Sequence, residues 1–428
     1  MYFRPFAIFV LATLLTACQT ESGKSASQEP PLVVDETAAT AIPPAEAVPL
    51  DSVVPSAPRQ ADSLAAASPR PATANLGPAD TTDATGFYDA FGRYLAGLPA
   101  RPGAPITDTL LTSKRWHTFR GANNAKWRAY DRSRVKPIRH WAARQLDPAA
   151  RTLTTVFYPF SGPDLLNVHT FFPYADTYVM IGLEPVGALP TPVVLAQPSL
   201  FKAVQSSLWS VLSFSFFRTN SMKLDFKSAE LDGTLPVLLL FATRTGHRVV
   251  DAQLVHLSPE GALAEGAAAP DTRQVPGSRL LLSDSTGHPQ TVYYFSADIS
   301  DGKLAANPAV ISFARSLGPV ATFVKSASYL MHKAYFSKVR NVVLNQSQLL
   351  LQDDSGIAYD FFDDGRFHVT HYGHYTKPIP LFAKHYQHDL FTAYHDSLHL
   401  PKPLPFGTGY NYRANESNLM LALRKTRP

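Results

Sequence analysis

The segment from Thr155 to Gly187, TVFYPFSGPDLLNVHTFFPYADTYVMIGLEPVG, limits what this chain can fold into more than any other stretch. Apolar residues run from Val156 to Phe160 and again from Tyr178 to Leu183, each run short enough for a strand and dense enough to be covered on both faces. Ser161-Gly162-Pro163 between them reads as a tight turn, and Asp164 as the N-cap of a short helix. Strand, turn, helix and strand make a βαβ unit, the start of a layered α/β domain.

The rest of the folded part alternates in the same way. Phe87, Phe91, Leu95 and Leu98 predict a helix, with Asp83 or Thr85 as its cap and Pro99 at its end. Trp116, Trp127 and Trp141 fall in two or three short helices broken near Gly121 and Pro137, as anchors that pin a helical cap to the sheet. A helix is expected from Pro198 to Phe217 and a buried strand from Leu235 to Phe241. Thr245-Gly246 and Thr286-Gly287, each between apolar runs, predict two hairpins. Helices around 308–316, 336–344 and 381–395 alternate with strands at 321–325, 348–352, 366–372 and 418–423. The class is α/β: a layered domain with a mixed, largely parallel sheet, a Rossmann-like βαβ start, inserted hairpins and an N-terminal helical cap. A hydrophobic content of 45% supplies an ample core.

The first residues, MYFRPFAIFVLATLLTAC, carry Arg4 ahead of an apolar run from Phe6 to Leu15, too short for the roughly 20 residues of a spanning helix. Leu15-Thr16-Ala17-Cys18 resembles the lipobox of bacterial lipoproteins. That resemblance implies cleavage after residue 17 and acylation of Cys18, the only cysteine in the chain. Two or more acyl chains, palmitate among them, hold a protein stably on a leaflet. Gln19 stands where Asp would favour the inner membrane, so the expected location is the cell envelope, outer membrane ahead of inner.

Between Gln19 and Thr85, 39 of 67 residues are Ala, Pro, Ser or Thr and none is aromatic, so 18–85 reads as a lipidated cysteine followed by a disordered tether. The expected division is therefore 1–17 signal peptide, 18–85 tether, 86–150 basic helical cap and 151–428 α/β domain. From residue 86 onward, 35 basic residues face 25 acidic ones. Eleven Lys or Arg lie between Lys114 and Arg151 against Asp131 and Asp147, a face that could dock on an anionic envelope surface or simply be solvated. Nucleic acid is not an expected partner in that compartment.

Loops after parallel strands are where such sheets bind ligands, which would gather Ser161, Asp164, Glu184, Asp353, Asp354 and Ser355 at one rim. Asp164, Glu184, Asp353 and Asp354 are the candidate catalytic acids and bases, and Ser161 and Ser355 candidate ligand contacts. The same residues also read as ordinary turns and caps. Seven of the fourteen histidines lie between His368 and His399; His395 and His399, four apart, would share a helix face and suit a divalent metal. No cofactor is expected beyond that metal. Ser199 to Lys202 matches S-x-x-K without its companion motifs, a chance match.

Gly162 and Glu184, 22 positions apart, resemble the methyltransferase or Rossmann pattern, in which an acid at the tip of the second strand binds ribose hydroxyls. The chain departs from it with one glycine in place of three and with Pro163, which has no amide to offer a phosphate. The fold analogy is kept and the cofactor is not carried over. FYPFSGPD, GLEPVG and QDDSGIAY are similar to segments of uncharacterised bacterial envelope lipoproteins, a resemblance that implies no activity. The expected function is ligand or partner binding by a lipid-anchored extracytoplasmic protein. The alternatives are a hydrolase of an envelope polymer, using the clustered carboxylates with or without a histidine-bound metal, and purely structural work. An enzyme should bring Asp164, Glu184 and Asp353 or Asp354 into one cleft with shifted pKa values; a binding module should line its pocket with aromatic side chains.

Overall fold

The computed structural model describes residues 86–205, 208, 233–270, 272–326, 328–362, 365–410 and 416–425. Cys18 and the tether lie outside them, as do parts of the helix expected from Pro198 to Phe217, of which residues 200–205 are helical.

Ten strands form one mixed sheet: β1 (Thr155–Tyr158), β2 (Thr177–Gly182), β3 (Arg248–Leu257), β4 (Leu263–Glu265), β5 (Val275–Ser283), β6 (Pro289–Ser296), β7 (Val320–Val324), β8 (Ser347–Gln352), β9 (Phe367–Gly373) and β10 (Asn418–Arg424). Their order is β4-β3-β5-β6-β2-β1-β7-β8-β10-β9. The central five, β6 to β8, pair in parallel. The other five of the nine pairings are antiparallel, so the expected largely parallel sheet is found only at the centre. The β3-to-β5 insertion extends one edge and the β9–β10 pair the other.

Both faces of the central strands are covered, as their unbroken apolar runs require. Along β2, Tyr178 and Met180 enter one core and Val179 and Ile181 the other. Leu349 and Leu351 of β8 alternate with Leu350 in the same way, following the two-residue period of a strand. On the first face lie α1 (Phe87–Ala96), α2 (Lys114–Tyr130), α3 (Lys136–Gln145), α4 (Leu165–Phe171) and α5 (Leu235–Arg244). The opposite face carries α6 (Ala309–Ser316) and α7 (Ser337–Gln346).

Several elements differ from expectation. Leu235–Arg244 is a helix and not a strand; it is buried from Leu235 to Thr243, and a run apolar on every side carries no period to separate the two. Thr245-Gly246 therefore joins a helix to β3, and of the two expected hairpins the one through Thr286-Gly287, between β5 and β6, forms. Gly121 does not break α2: it faces open space, where the cost of a helical glycine is only about 1 kcal/mol. Buried Trp116, Phe119 and Trp127 hold α2 in place on either side of that glycine. Pro137 is taken up by a π-helical turn, Asp131–Val135, between α2 and α3, which accommodates the ring and its missing N–H. Gly86 precedes α1 without a side-chain cap, and Gly97, in the left-handed region, ends it through Leu98 N–H to the Arg93 carbonyl, ahead of Pro99. Trp141 packs edge-on against Phe171, Tyr372 and Phe406, and Trp127 against Phe241, as anchors of the cap.

Candidate functional site

The parallel strands lie in the order third, second, first, fourth, fifth, so the crossover from β1 runs to one side and that from β7 to the other, and a crevice opens between the ends of β1 and β7. Parallel pairing puts the residues after β1, β2, β6, β7 and β8 along one rim. The turn after β1 is strained: Phe160 has φ 62° and Gly162 φ 50°, and a positive φ in a bulky residue persists only where its surroundings enforce it. The Ser161 amide donates to the Ile181 carbonyl at 2.8 Å, and its hydroxyl is turned onto the carbonyls of Gly162 and Ile181. Ser161 is thus a structural tie between β1 and β2.

Asp164 caps α4 by accepting the Asn167 amide at 3.2 Å; the Asn167 side chain and the Tyr158 hydroxyl occupy its remaining lone pairs. Tyr130 of the cap donates to Asn167 at 3.1 Å, joining cap to site. Burial raises the Asp164 pKa to about 6, against the opposing pull of Lys325 and these hydrogen bonds.

Glu184, beyond β2, is 2% exposed. Its carboxyl lies over two glycines: a Cβ on Gly182 would fall 2.6 Å from Glu184 Oε2 and 2.8 Å from Gly162 Cα. Tyr294 of β6 donates to the Glu184 carbonyl at 2.8 Å and fixes its backbone.

Lys325, directly after β7, is buried within electrostatic reach of the carboxyls of Asp164 and Asp353. Burial lowers its pKa while the two carboxylates pull it back up. Asp353 accepts the Ser355 amide at 3.0 Å and the Ser355 hydroxyl, and Ser355 Oγ in turn accepts the Ser326 amide at 3.0 Å, tying the turns after β7 and β8. Burial raises the Asp353 pKa and that of Asp354, the latter to about 6 with Asp353 adding to the rise. Asp354 accepts from Tyr329 at 2.6 Å and from Asn418 at 3.0 Å.

Ser161, Asp164, Glu184, Asp298 and Lys325 line one cleft with Phe160, Leu330 and Phe336 as apolar walls. The space open to water centres is about 90 Å³, room for several waters or one small ligand. Asp353 and Asp354 line a separate pocket of about 10 Å³, and Asp353 reaches the cleft only through Lys325. Ser355 serves the turn.

His395 and His399 do not share a helix face. The helix α8 (His388–His395) ends at His395, where Asp396 is extended. His395 Nδ1 meets the Phe391 carbonyl at 2.8 Å, and His399 Nδ1 lies 2.8 Å from Asp396 Oδ2. Asp396 accepts the Leu398 amide in a turn that competes with another helical step. Among the described residues, no group of three or more His, Cys, Asp or Glu could hold a metal ion.

Lys325, Asp298 and Tyr158 were not singled out from the sequence. VATFVK ends in a lysine, but its partners become apparent only once β7 is known to lie beside β1.

The turn after β1 is poorly suited to phosphate. Its amides from Ser161, Asp164 and Leu165 donate to protein carbonyls, Pro163 has none, and the N-terminus of α4 is already capped by the Asp164 carboxyl. The space a pyrophosphate would use thus carries the wrong charge.

Fold and cleft together define a doubly wound α/β protein with a crevice at its switch point. Comparisons with protein-family models, with curated proteins and with solved structures find no match to this chain.

Proposed function

We propose that this chain is a lipid-anchored extracytoplasmic binding protein of the cell envelope, whose cleft takes a hydroxylated ligand of about monosaccharide size, neutral or amine-bearing and without phosphate. The observation that carries the reading is the Glu184 carboxyl, held at the switch point over two glycines and opening on the cleft. A carboxylate there accepts hydroxyl or ammonium donors. Asp298 on the rim adds a second acceptor, and Phe160 and Phe336 offer apolar faces. Three carboxyls against one lysine disfavour an anion.

The hydrolase reading is supported by Asp164, raised to about 6 beside Lys325. Against it, Asp164 is saturated by Asn167 and Tyr158, and Asp353 lies behind Lys325, so neither reaches a substrate proton.

The test is calorimetric titration with glucosamine, glucose and ribose beside the corresponding sugar phosphates. An unphosphorylated sugar should bind, its phosphate should bind more weakly, and Glu184→Gln should weaken binding roughly ten- to a hundredfold, the worth of a charge-assisted hydrogen bond. Equal affinity for the phosphates, or an unchanged Glu184→Gln variant, would sink the reading.

A further inference from the structure

A second concavity, on the helical cap, has the opposite charge. Its space open to water centres is about 560 Å³, and its walls include Trp127, Arg128, Arg132, Lys136, Arg139 and, from the end of α5, Arg244. The four cap cations span eleven residues, roughly 16 Å at 1.5 Å per residue, and the π-helical turn at Asp131–Val135 is part of the wall. Such turns recur at functional sites.

The groove's charge is not neutralised from within. Among the described residues, Arg128, Arg132 and Arg139 make no ion pair or side-chain hydrogen bond, and the one lining carboxylate, Asp131, pairs with Lys136 at 3.2 Å. Arg244 is held in place from beneath: its guanidinium sits 4.9 Å from the Trp127 ring centroid and donates to Asn124 Oδ1 at 2.7 Å and to the Ala96 carbonyl. Its buried Nε has no hydrogen-bond partner, and no carboxylate faces it among the described residues. Forked guanidinium donors match the oxygens of a phosphate, and several along one groove match several phosphates.

An adjoining depression shares Arg139, Thr245 and Gly246 with the groove and is lined by Tyr174, 58% exposed, with Arg151 over its ring at 4.6 Å. An exposed aromatic ring under a guanidinium is the amphipathic pairing that settles at headgroup level.

We propose that this groove binds the phosphate groups of anionic membrane lipid and docks the folded part on the leaflet to which the chain is tethered. The choice of a membrane rests on the anchored reading above, whereas the demand for anions rests on the groove alone. Tethering raises the effective concentration to the order of millimolar, so a site of modest affinity is occupied.

The experiment is co-sedimentation of the full-length chain carrying Cys18→Ser with phosphatidylcholine vesicles, with and without phosphatidylglycerol. The readout is the difference between the two vesicle types, which cancels any apolar contribution of the N-terminus. Arg132→Ser/Arg139→Ser is compared with Lys126→Ser/Arg144→Ser, an equal charge change at exposed residues outside the groove. The preference for anionic vesicles should fall roughly thirtyfold in the groove variant, from about 1 kcal/mol per cation near such a surface, and far less in the other. Equal losses would reveal diffuse attraction and overturn the proposal, as would an unchanged groove variant. Binding of soluble glycerophosphate or an acidic polysaccharide as tight as that of vesicles would remove the membrane as the source. Sugar binding at the cleft, measured on the same groove variant, reports separately on the Glu184 reading.

Discussion

At the scale of single residues, the cleft holds a buried lysine, Lys325, that interacts electrostatically with Asp164 and Asp353. Raising a buried carboxyl has a definite sign. Asp164 titrates at about 6 when folded against 3.8 ordinarily, so between pH 4 and 6 the native state keeps a proton that the unfolded chain releases. Its stabilising contribution is full below pH 4 and lost as pH rises through 6, a difference of about 3 kcal/mol at 1.36 kcal/mol per pH unit. Asp354, also near 6, adds in the same direction. Urea unfolding of wild type should therefore lose stability from pH 4 to 6 relative to Asp164→Asn, and parallel curves for the two proteins would refute the assignment. That Asp164 and Glu184 line the cleft was legible because each follows an apolar run that ends at the rim, a local signal. Lys325 was not, because Asp164, beyond β1, and Asp353, beyond β8, come near it only through the placing of β7 between those two strands.

At the scale of elements, strands with two buried faces were readable from their short apolar runs and the turns that bound them, and β1, β2, β7, β8 and β10 fall where expected to within a residue or two. The miss at α5 has a physical origin: LPVLLLF buried all round has no polar face to report a period of two or of 3.6. Its burial depends on a close crossing with α1. A Cβ on Gly92 would meet the Leu239 carbonyl oxygen at 2.6 Å and Thr243 Cγ2 at 3.0 Å, so this glycine lets the two backbones approach. Gly92→Ala improves helix propensity by about 1 kcal/mol yet forces the helices apart, and overpacking of this kind costs about 1–3 kcal/mol. The expected result is a net loss in urea unfolding at neutral pH. A variant more stable than wild type would mean that α1 docks more loosely than the crossing requires.

At the scale of the whole molecule, the cleft and the cap groove carry opposite charge and ask for different partners. The cleft presents Asp164, Glu184 and Asp298 around one lysine, and the groove presents five cations around one aspartate. Summed composition conceals this, since a net charge of +5 describes neither place. No helix among the described residues is long and apolar enough to cross a membrane. The proposed function assigns membrane attachment to an acylated Cys18 and the groove, and these two differ in their response to salt. Acyl chains buried in a leaflet are held by apolar transfer, about 0.8 kcal/mol per methylene, which salt does not screen. Arginines facing phosphates are screened, with a Debye length of about 3 Å at 1 M salt against about 10 Å at 0.1 M. Fractionated cells should therefore retain wild type on membranes through a molar-salt wash. Cys18→Ser should remain with membranes at low salt and leave them in the wash, and adding Arg132→Ser/Arg139→Ser should release it at low salt as well. Wild type washed off by salt alone would remove the lipid anchor from the account; a Cys18→Ser protein that resists the wash would show that something other than the thioether holds it.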